Sequence, residues 1–227
     1  MKRLTLSLLL LLLAFAAAAQ DNFIFDMPDD FSAIDTVAPP QKFKSIHMIG
    51  VGYGVNLSGV NSSPKIGQER IWTYNNISVT YTYYHALWDH LFNFGVVVGA
   101  KHGYEGYTSS YDVYGEKCEI IEVPLLSQFK IDFSRFRLLI NLGTYGGYRL
   151  KTDKEGGFDK YDQRFDYGVI GGVGFAVVFK PIEIHIEGNY KYALASMYNT
   201  NKISDIYWLY TYPQNIMISA SVHVHLW

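Results

Sequence analysis

Residues Ile182 to Tyr192 constrain this chain more than any other stretch. They read Ile-Glu-Ile-His-Ile-Glu-Gly-Asn-Tyr-Lys-Tyr. Ile182, Ile184, Ile186, Tyr190 and Tyr192 occupy one parity; Glu183, His185, Glu187, Asn189 and Lys191 occupy the other. A period of two places the two sets on opposite faces of a β-strand. In a soluble sandwich the polar face meets water. In a transmembrane barrel the apolar face meets lipid and the charges line the lumen. The surrounding chain decides between these.

Lys2 and Arg3 precede an apolar run from Leu4 to about Ala16, and Ala17, Ala18 and Ala19 follow it. This is the pattern of a Sec-type secretory signal peptide over residues 1–19, with Gln20 starting the mature chain. Read instead as an anchor helix, the run is short for a span. Cys118, the single cysteine, excludes an intrachain disulfide framework. Removing Lys2 and Arg3 leaves 17 basic against 21 acidic residues, a net charge of −4. No nucleic-acid partner is indicated by that balance. Residues 20–44, with Asp-Met-Pro-Asp-Asp and Ala-Pro-Pro-Gln, show no sustained alternation. They are expected to form a flexible periplasmic tail.

Eight strands are expected over residues 45–227: Ser45–Leu57, Asn76–Tyr84, Phe92–Tyr104, Cys118–Ile131, Arg137–Arg149, Phe165–Phe179, Ile182–Tyr192 and Asn215–Trp227. Each alternates. In the first, Ile49, Val51, Tyr53, Val55 and Leu57 oppose Gly50, Gly52, Gly54 and Asn56. In the last, Ile216, Ile218, Val222, Val224 and Leu226 oppose Ser219, Ser221, His223 and His225. The runs reach the length of about nine residues that a tilted strand needs to cross a bilayer. Strands of soluble domains average nearer five or six. The connections alternate too. His85–Leu91, Asp132–Phe136 and Lys180-Pro181 are short, whereas Ser58–Asn75, Glu105–Lys117, Leu150–Arg164 and Ala193–Gln214 are long and polar. These features predict an all-β, eight-stranded antiparallel up-and-down transmembrane barrel with short periplasmic turns, long extracellular loops and both termini in the periplasm. Tyr104, Tyr148, Tyr167 and Tyr190 would form one aromatic belt, and Phe92, Phe129 and Phe179 the other.

An eight-stranded barrel is just wide enough for side chains to fill. The inward parity supplies Lys101, Glu122, Lys130, Arg149, Glu183, His185, Glu187, Lys191, His223 and His225. Buried charges must pair, so a plugged lumen is expected rather than a wide, porin-like channel. His185, His223 and His225 beside Glu183 carry donor types that zinc accepts. The alternative is a hydrogen-bonded network in which the histidines pair with Glu183 and Glu187. No metal or cofactor is assigned. Ser221 with His223, and His102 with Ser109 and Ser110, are the Ser–His neighbours a lipid-modifying enzyme would need, but no catalytic residue is assigned.

Glu122-Val-Pro-Leu-Leu running into Gln128-Phe-Lys, then Asn141-Leu-Gly-Thr-Tyr-Gly-Gly-Tyr after a short turn, resembles paired strands of the PorT-like outer-membrane β-barrel family of Bacteroidota. The resemblance covers about Ser45 to Trp227. It implies the outer membrane of a Gram-negative bacterium and insertion by the barrel-assembly machinery. In the usual terminal insertion signal the last aromatic shares the outward parity; Trp227 instead shares that of His223 and His225.

The function expected is that of a small non-enzymatic barrel with a structural or surface-interaction role, a monomer contacting outer-membrane lipid and lipopolysaccharide. Its contact surface would be the loop Ala193–Gln214, through Tyr198, Tyr207, Trp208, Tyr210 and Tyr212, unless those rings only pack the loop base. Alternatives are an accessory part of a type IX-like secretion machinery, with the N-terminal tail contacting a periplasmic partner, a lipid-modifying enzyme, or a soluble lipocalin-like barrel.

Overall fold

The computed structural model describes residues 45–65, 67–86, 92–109, 115–133, 135–179, 181–199 and 210–226. The expected signal peptide, the tail over 20–44, Tyr207, Trp208 and Trp227 lie outside them, as do the side chains of Phe92 and Ser109. Eight strands follow one another: β1 (Ile46–Ser63), β2 (Gln68–Ala86), β3 (Phe92–Ser109), β4 (Glu116–Phe133), β5 (Phe136–Thr152), β6 (Phe165–Phe179), β7 (Ile182–Ala193) and β8 (Tyr210–Leu226). Each pairs antiparallel with its sequence neighbour, and β1 pairs with β8 to close the barrel. Closure leaves no strand with a free edge.

All eight expected strands are present, with the assigned parity. Their lengths are the difference. β1 continues to Ser63 and β2 begins at Gln68, so the connection expected over Ser58–Asn75 contracts to residues 64–67. The connection expected over Glu105–Lys117 contracts to residues 110–115. At that end only the spans 153–164 and 194–209 remain long. A β-bulge hid the extension of β2. The β1–β2 register slips between Gly54 and Asn56, and Asn75 takes a positive φ of 63°. A bulge inserts one residue and re-phases everything beyond it. Trp72 and Tyr74 therefore point outward on the even parity, Thr73 is buried, and the expected alternation breaks at Asn76 without the strand ending.

The distribution of side chains is inside out. Arg149, Lys130, His185, Glu105 and Glu183 are among the largest fully buried side chains. Val51, Val79, Val98, Leu125, Leu142, Val173, Ile186 and Ile218, one from each strand, are all exposed. Ile186 is 59% exposed and Leu142 63%. Phe129, Phe133, Phe136 and Phe179 mark the outer surface at the end with short turns; Tyr167, Tyr190 and Phe165 mark it toward the other end. Soluble monomers rarely carry contiguous apolar patches above a few hundred Å²; this belt runs round the whole wall. Within the lumen, apolar packing is confined to islands such as Val97, Leu126, Tyr145 and Ile170.

Candidate functional site in the lumen and at the loop end

Ten ionisable side chains were expected inside, and the structure turns all ten inward. They form two layers. The layer toward the long loops is organised by Glu105 on β3. Arg149 on β5 donates through Nε to Glu105 Oε1 at 2.9 Å, and Lys191 on β7 donates through Nζ to Oε2 at 3.0 Å. Asn215 on β8 donates to the same Oε2 at 3.2 Å. Lys191 also donates to Glu122 and lies 3.6 Å from Asp166, whose other oxygen is 3.5 Å from Arg149 Nη2. Tyr145 donates to Asp166 at 3.0 Å, and Lys101 stands directly opposite Glu122 in the β3–β4 ladder.

Among the described residues, the acids whose oxygens lie close enough together to hold a metal ion are Glu105, Glu122 and Asp166. The Lys191 ammonium already sits against all three. A fixed amine in that position supplies the positive charge that a cation would bring.

The layer toward the short turns is organised by Glu183. Arg137 and His225 both contact Glu183 Oε1, and His185 Nε2 lies 3.2 Å from Oε2. Arg137 also pairs with Asp132 at 2.9 Å, while Lys130 lies over the Tyr84 ring at 4.4 Å. A polar chain crosses the barrel above this: Tyr84 donates to Gln128, Gln128 to Asn141 at 2.6 Å, and Asn141 to Glu187 at 2.8 Å.

His185 and His225 thus enter the carboxylate network expected for them. His223 does not. Its ring stacks on His185 with centroids 3.9 Å apart, and its Nε2 lies 2.9 Å from Ser221 Oγ. The stacking needs Gly50 on β1, where a Cβ would run into the His223 ring. His185 and His225 share Glu183 while His223 faces Ser221, so the three imidazoles do not converge on one point.

The Ser221–His223 contact has the length of a nucleophile–base pair, yet lacks the rest of the constellation. Among the described residues His223 Nδ1 is buried without a hydrogen-bond partner, so the ring is held by stacking on His185 and not by a third hydrogen-bonding group. The void beside it is about 30 Å³, and another, next to Lys101 and Lys191, about 40 Å³. Such spaces hold a water or two, not an acyl chain. His102 is turned outward, where its Nε2 lies 2.8 Å from Glu119; Ser110 lies outside the described residues.

At the loop end the chain closes over the lumen. Asn199 N donates to Tyr161 O, Gln163 N to Met197 O and Met197 N to Thr211 O, knitting residues 159–163 to 197–199 and to β8. Lys154 bridges Glu116 at 2.5 Å and Asp162 at 3.3 Å. Tyr198, expected as an exposed contact residue, is buried against Tyr107, Cys118 and Met197. It donates to Glu116, and its hydroxyl lies 2.9 Å from that of Tyr107. Burial and the Glu116 carboxylate both push its phenol above the ordinary range. Tyr210 and Tyr212 belong to β8, not to the loop.

Glu105, Asp132, Arg137 and Asp166 are charged members of the two layers that were not among the ten expected inside. Glu105 fell just past the expected end of β3, although it continues the parity of Lys101. Asp132 lies in the expected turn, and Arg137 opens the expected strand Arg137–Arg149 on the inward parity of Arg149.

No protein-family profile matches the chain, and no curated protein matches it in sequence. Solved structures do. The chain is similar to Neisserial surface protein A at a TM-score of 0.44 and 15% identity, covering 78% of this chain and 96% of that one. It is also similar to Ail, the attachment invasion locus protein of Yersinia pestis, in complex with the heparin analogue sucrose octasulfate. That match has a TM-score of 0.40 and 15% identity over 78% and 98% of the two chains.

Proposed function

We propose that this chain is a small, non-enzymatic outer-membrane barrel with a plugged lumen, working as a scaffold that holds its loop end at the cell surface. The observation that carries the reading is the inversion of polarity: exposed apolar side chains on all eight strands enclose buried Arg, Lys, His and Glu. In water such a wall would associate; in a bilayer it is solvated by acyl chains. The backbone condition is met as well, since a closed barrel satisfies its ladder internally.

A role in conduction gains no support from the lumen, where two charge networks tie opposite walls together and the two voids beside them, among the described residues, measure about 40 and 30 Å³. A surface-interaction role is supported by the knitted cap formed by residues 153–164 and 194–199. A pre-ordered surface loses little conformational freedom when a partner docks. The resemblance to PorT-like barrels agrees with the envelope location and leaves the partner open.

Membrane fractionation with a heat-modifiability gel tests the first part. The protein is expected in the outer-membrane fraction, migrating faster unheated than boiled. Recovery of folded monomer from the soluble fraction without detergent would overturn the reading. For the surface role, a membrane-impermeant amine reagent applied to intact cells should modify the exposed Lys160. Modification only after permeabilisation places the cap on the wrong side.

A further inference from the structure

The outer wall changes character abruptly on one side of the barrel. On β4 the outward series from the loop end runs Lys117, Glu119, Ile121, Val123 and Leu125. On β5, Lys151 lies opposite Glu119 in the ladder and stands above Tyr148. Arg164 immediately precedes β6, whose first residue, Phe165, is 72% exposed. Three cations, on β4, on β5 and just ahead of β6, thus stop at one edge of the apolar belt. On the opposite wall Leu57, Trp72 and Tyr74 are uncharged, with exposed Arg70 beyond them on β2.

Side-chain geometry holds these cations along the wall. Lys117 Nζ lies 4.8 Å from the centroid of the Tyr104 ring. The Arg164 guanidinium lies 4.6 Å over Tyr148, fixed by Nε to Arg149 O at 3.2 Å and Nη2 to Leu150 O at 3.3 Å. The neighbouring acids are engaged. Glu119 accepts from His102 at 2.8 Å, leaving Lys151 Nζ 4.0 Å away with its side chain 80% exposed; Asp153 accepts the Lys117 backbone N–H at 2.9 Å. Two ammonium groups and one guanidinium edge therefore retain donors at the height where the apolar surface ends. In a bilayer that is the headgroup level, where aromatic rings also gather.

We propose that Lys117, Lys151 and Arg164 form a binding site for the phosphate of an anionic lipid headgroup in the outer leaflet. The inference rests on the membrane reading above and adds a lipid class to it. The acyl chains would lie on the belt below, along Ile121 and Tyr167, while the phosphate takes charge-assisted hydrogen bonds from the fork and the two amines.

The test uses the full barrel folded in zwitterionic micelles and titrated with short-chain phosphatidic acid, phosphatidylcholine of the same chains, and inorganic phosphate. Backbone amide NMR shifts at positions 117, 151 and 164 report binding. Phosphatidic acid is expected to bind there in preference to both other probes. A Lys or Arg near a charged surface contributes about fivefold in affinity, so Lys117→Gln, Lys151→Gln and Arg164→Gln together should weaken binding on the order of a hundredfold. Lys65→Gln, at an exposed turn, should change nothing. Should the triple variant fail to fold, Lys151→Gln alone carries the test, with a loss of about fivefold. Equal affinity in parent and variant, equal binding of phosphatidylcholine, or equal binding of inorganic phosphate overturns the site while leaving the barrel in the membrane. Failure of the parent to fold in micelles overturns the membrane reading, and the site with it.

Discussion

Arg149 on β5 donates through Nε to Glu105 on β3 at 2.9 Å, spanning the strand between them on the inner face of the barrel. Both side chains are 1% exposed. Glu105 also receives Lys191 and Asn215, so one carboxylate links β3, β5, β7 and β8. A buried acid serving two buried bases cannot be removed without leaving charge behind.

Glu105→Gln should accordingly destabilise the barrel by about 3–5 kcal/mol, the usual consequence of orphaning a buried charge. The shift of the guanidinium unfolding midpoint in micelles, read by loss of heat-modifiable mobility, measures it. A midpoint equal to the parent's would show that Lys191 and Arg149 are compensated elsewhere.

On the outer wall the signs reverse. Ile186→Lys places a charge in the middle of the exposed apolar belt and should cost about 2–4 kcal/mol in a bilayer. The same change at exposed Ser63, beyond the belt, should be near neutral. Folding yield into phosphatidylcholine vesicles distinguishes the two. Equal yields would mean that the wall at Ile186 does not meet acyl chains.

Gly50 and His223 form a fitted pair, since a Cβ on the glycine would collide with the ring stacked against His185. Gly50→Ala should cost about 1–3 kcal/mol in the parent, as overpacking does, and clearly less in a His223→Ala background. A double-mutant cycle with no coupling between the two positions would place the cost in the backbone.

Tyr198 provides a pH test at the loop end. Its folded pKa is raised above the ordinary 10.0 by burial, with Glu116 adding to the effect. The folded state therefore keeps a proton that the unfolded chain releases near pH 10. The stabilisation is fully present below that pH and is lost as pH rises toward the folded pKa. Spectroscopic titration should find a tyrosine that resists ionisation until the cap opens. Tyr107, Tyr84 and Tyr145 are buried as well, so Tyr198→Phe should lower the amplitude of the late ionisation by one tyrosine; an unchanged amplitude would assign the late step to the others.

The barrel closes by pairing β1 with β8 from His47 onward. A chain lacking residues 20–44 but keeping residues 1–19 should therefore insert with normal heat-modifiability. If secretion of other proteins fails in cells carrying this deletion, the segment serves a periplasmic partner, as the type IX-like reading requires. If insertion itself fails, the segment is part of the folding unit.

How far the molecule was legible varies from strand to strand. In β7 the alternation from Ile182 to Tyr192 placed every side chain correctly, because strand parity is a local property of the backbone. In β2 it stopped at Asn76, where the bulge at Asn75 switches the phase and conceals Trp72 and Tyr74. Tyr198 looked like an exposed ring in a long loop, yet it is buried. Its burial depends on Tyr107 and Glu116, both more than 80 residues away.

The amino-acid order alone determined eight strands, their two faces and the requirement that enclosed charges find partners, since each follows from period-two geometry and the cost of desolvating ions. Only the closed barrel decided which partners those are. Arg149 meets Glu105, His185 stacks on His223, and Lys191 settles among three carboxylates because closure and register bring strands β3, β5, β7 and β8 to common heights around one axis. That relation among distant segments is written in no single stretch of the chain.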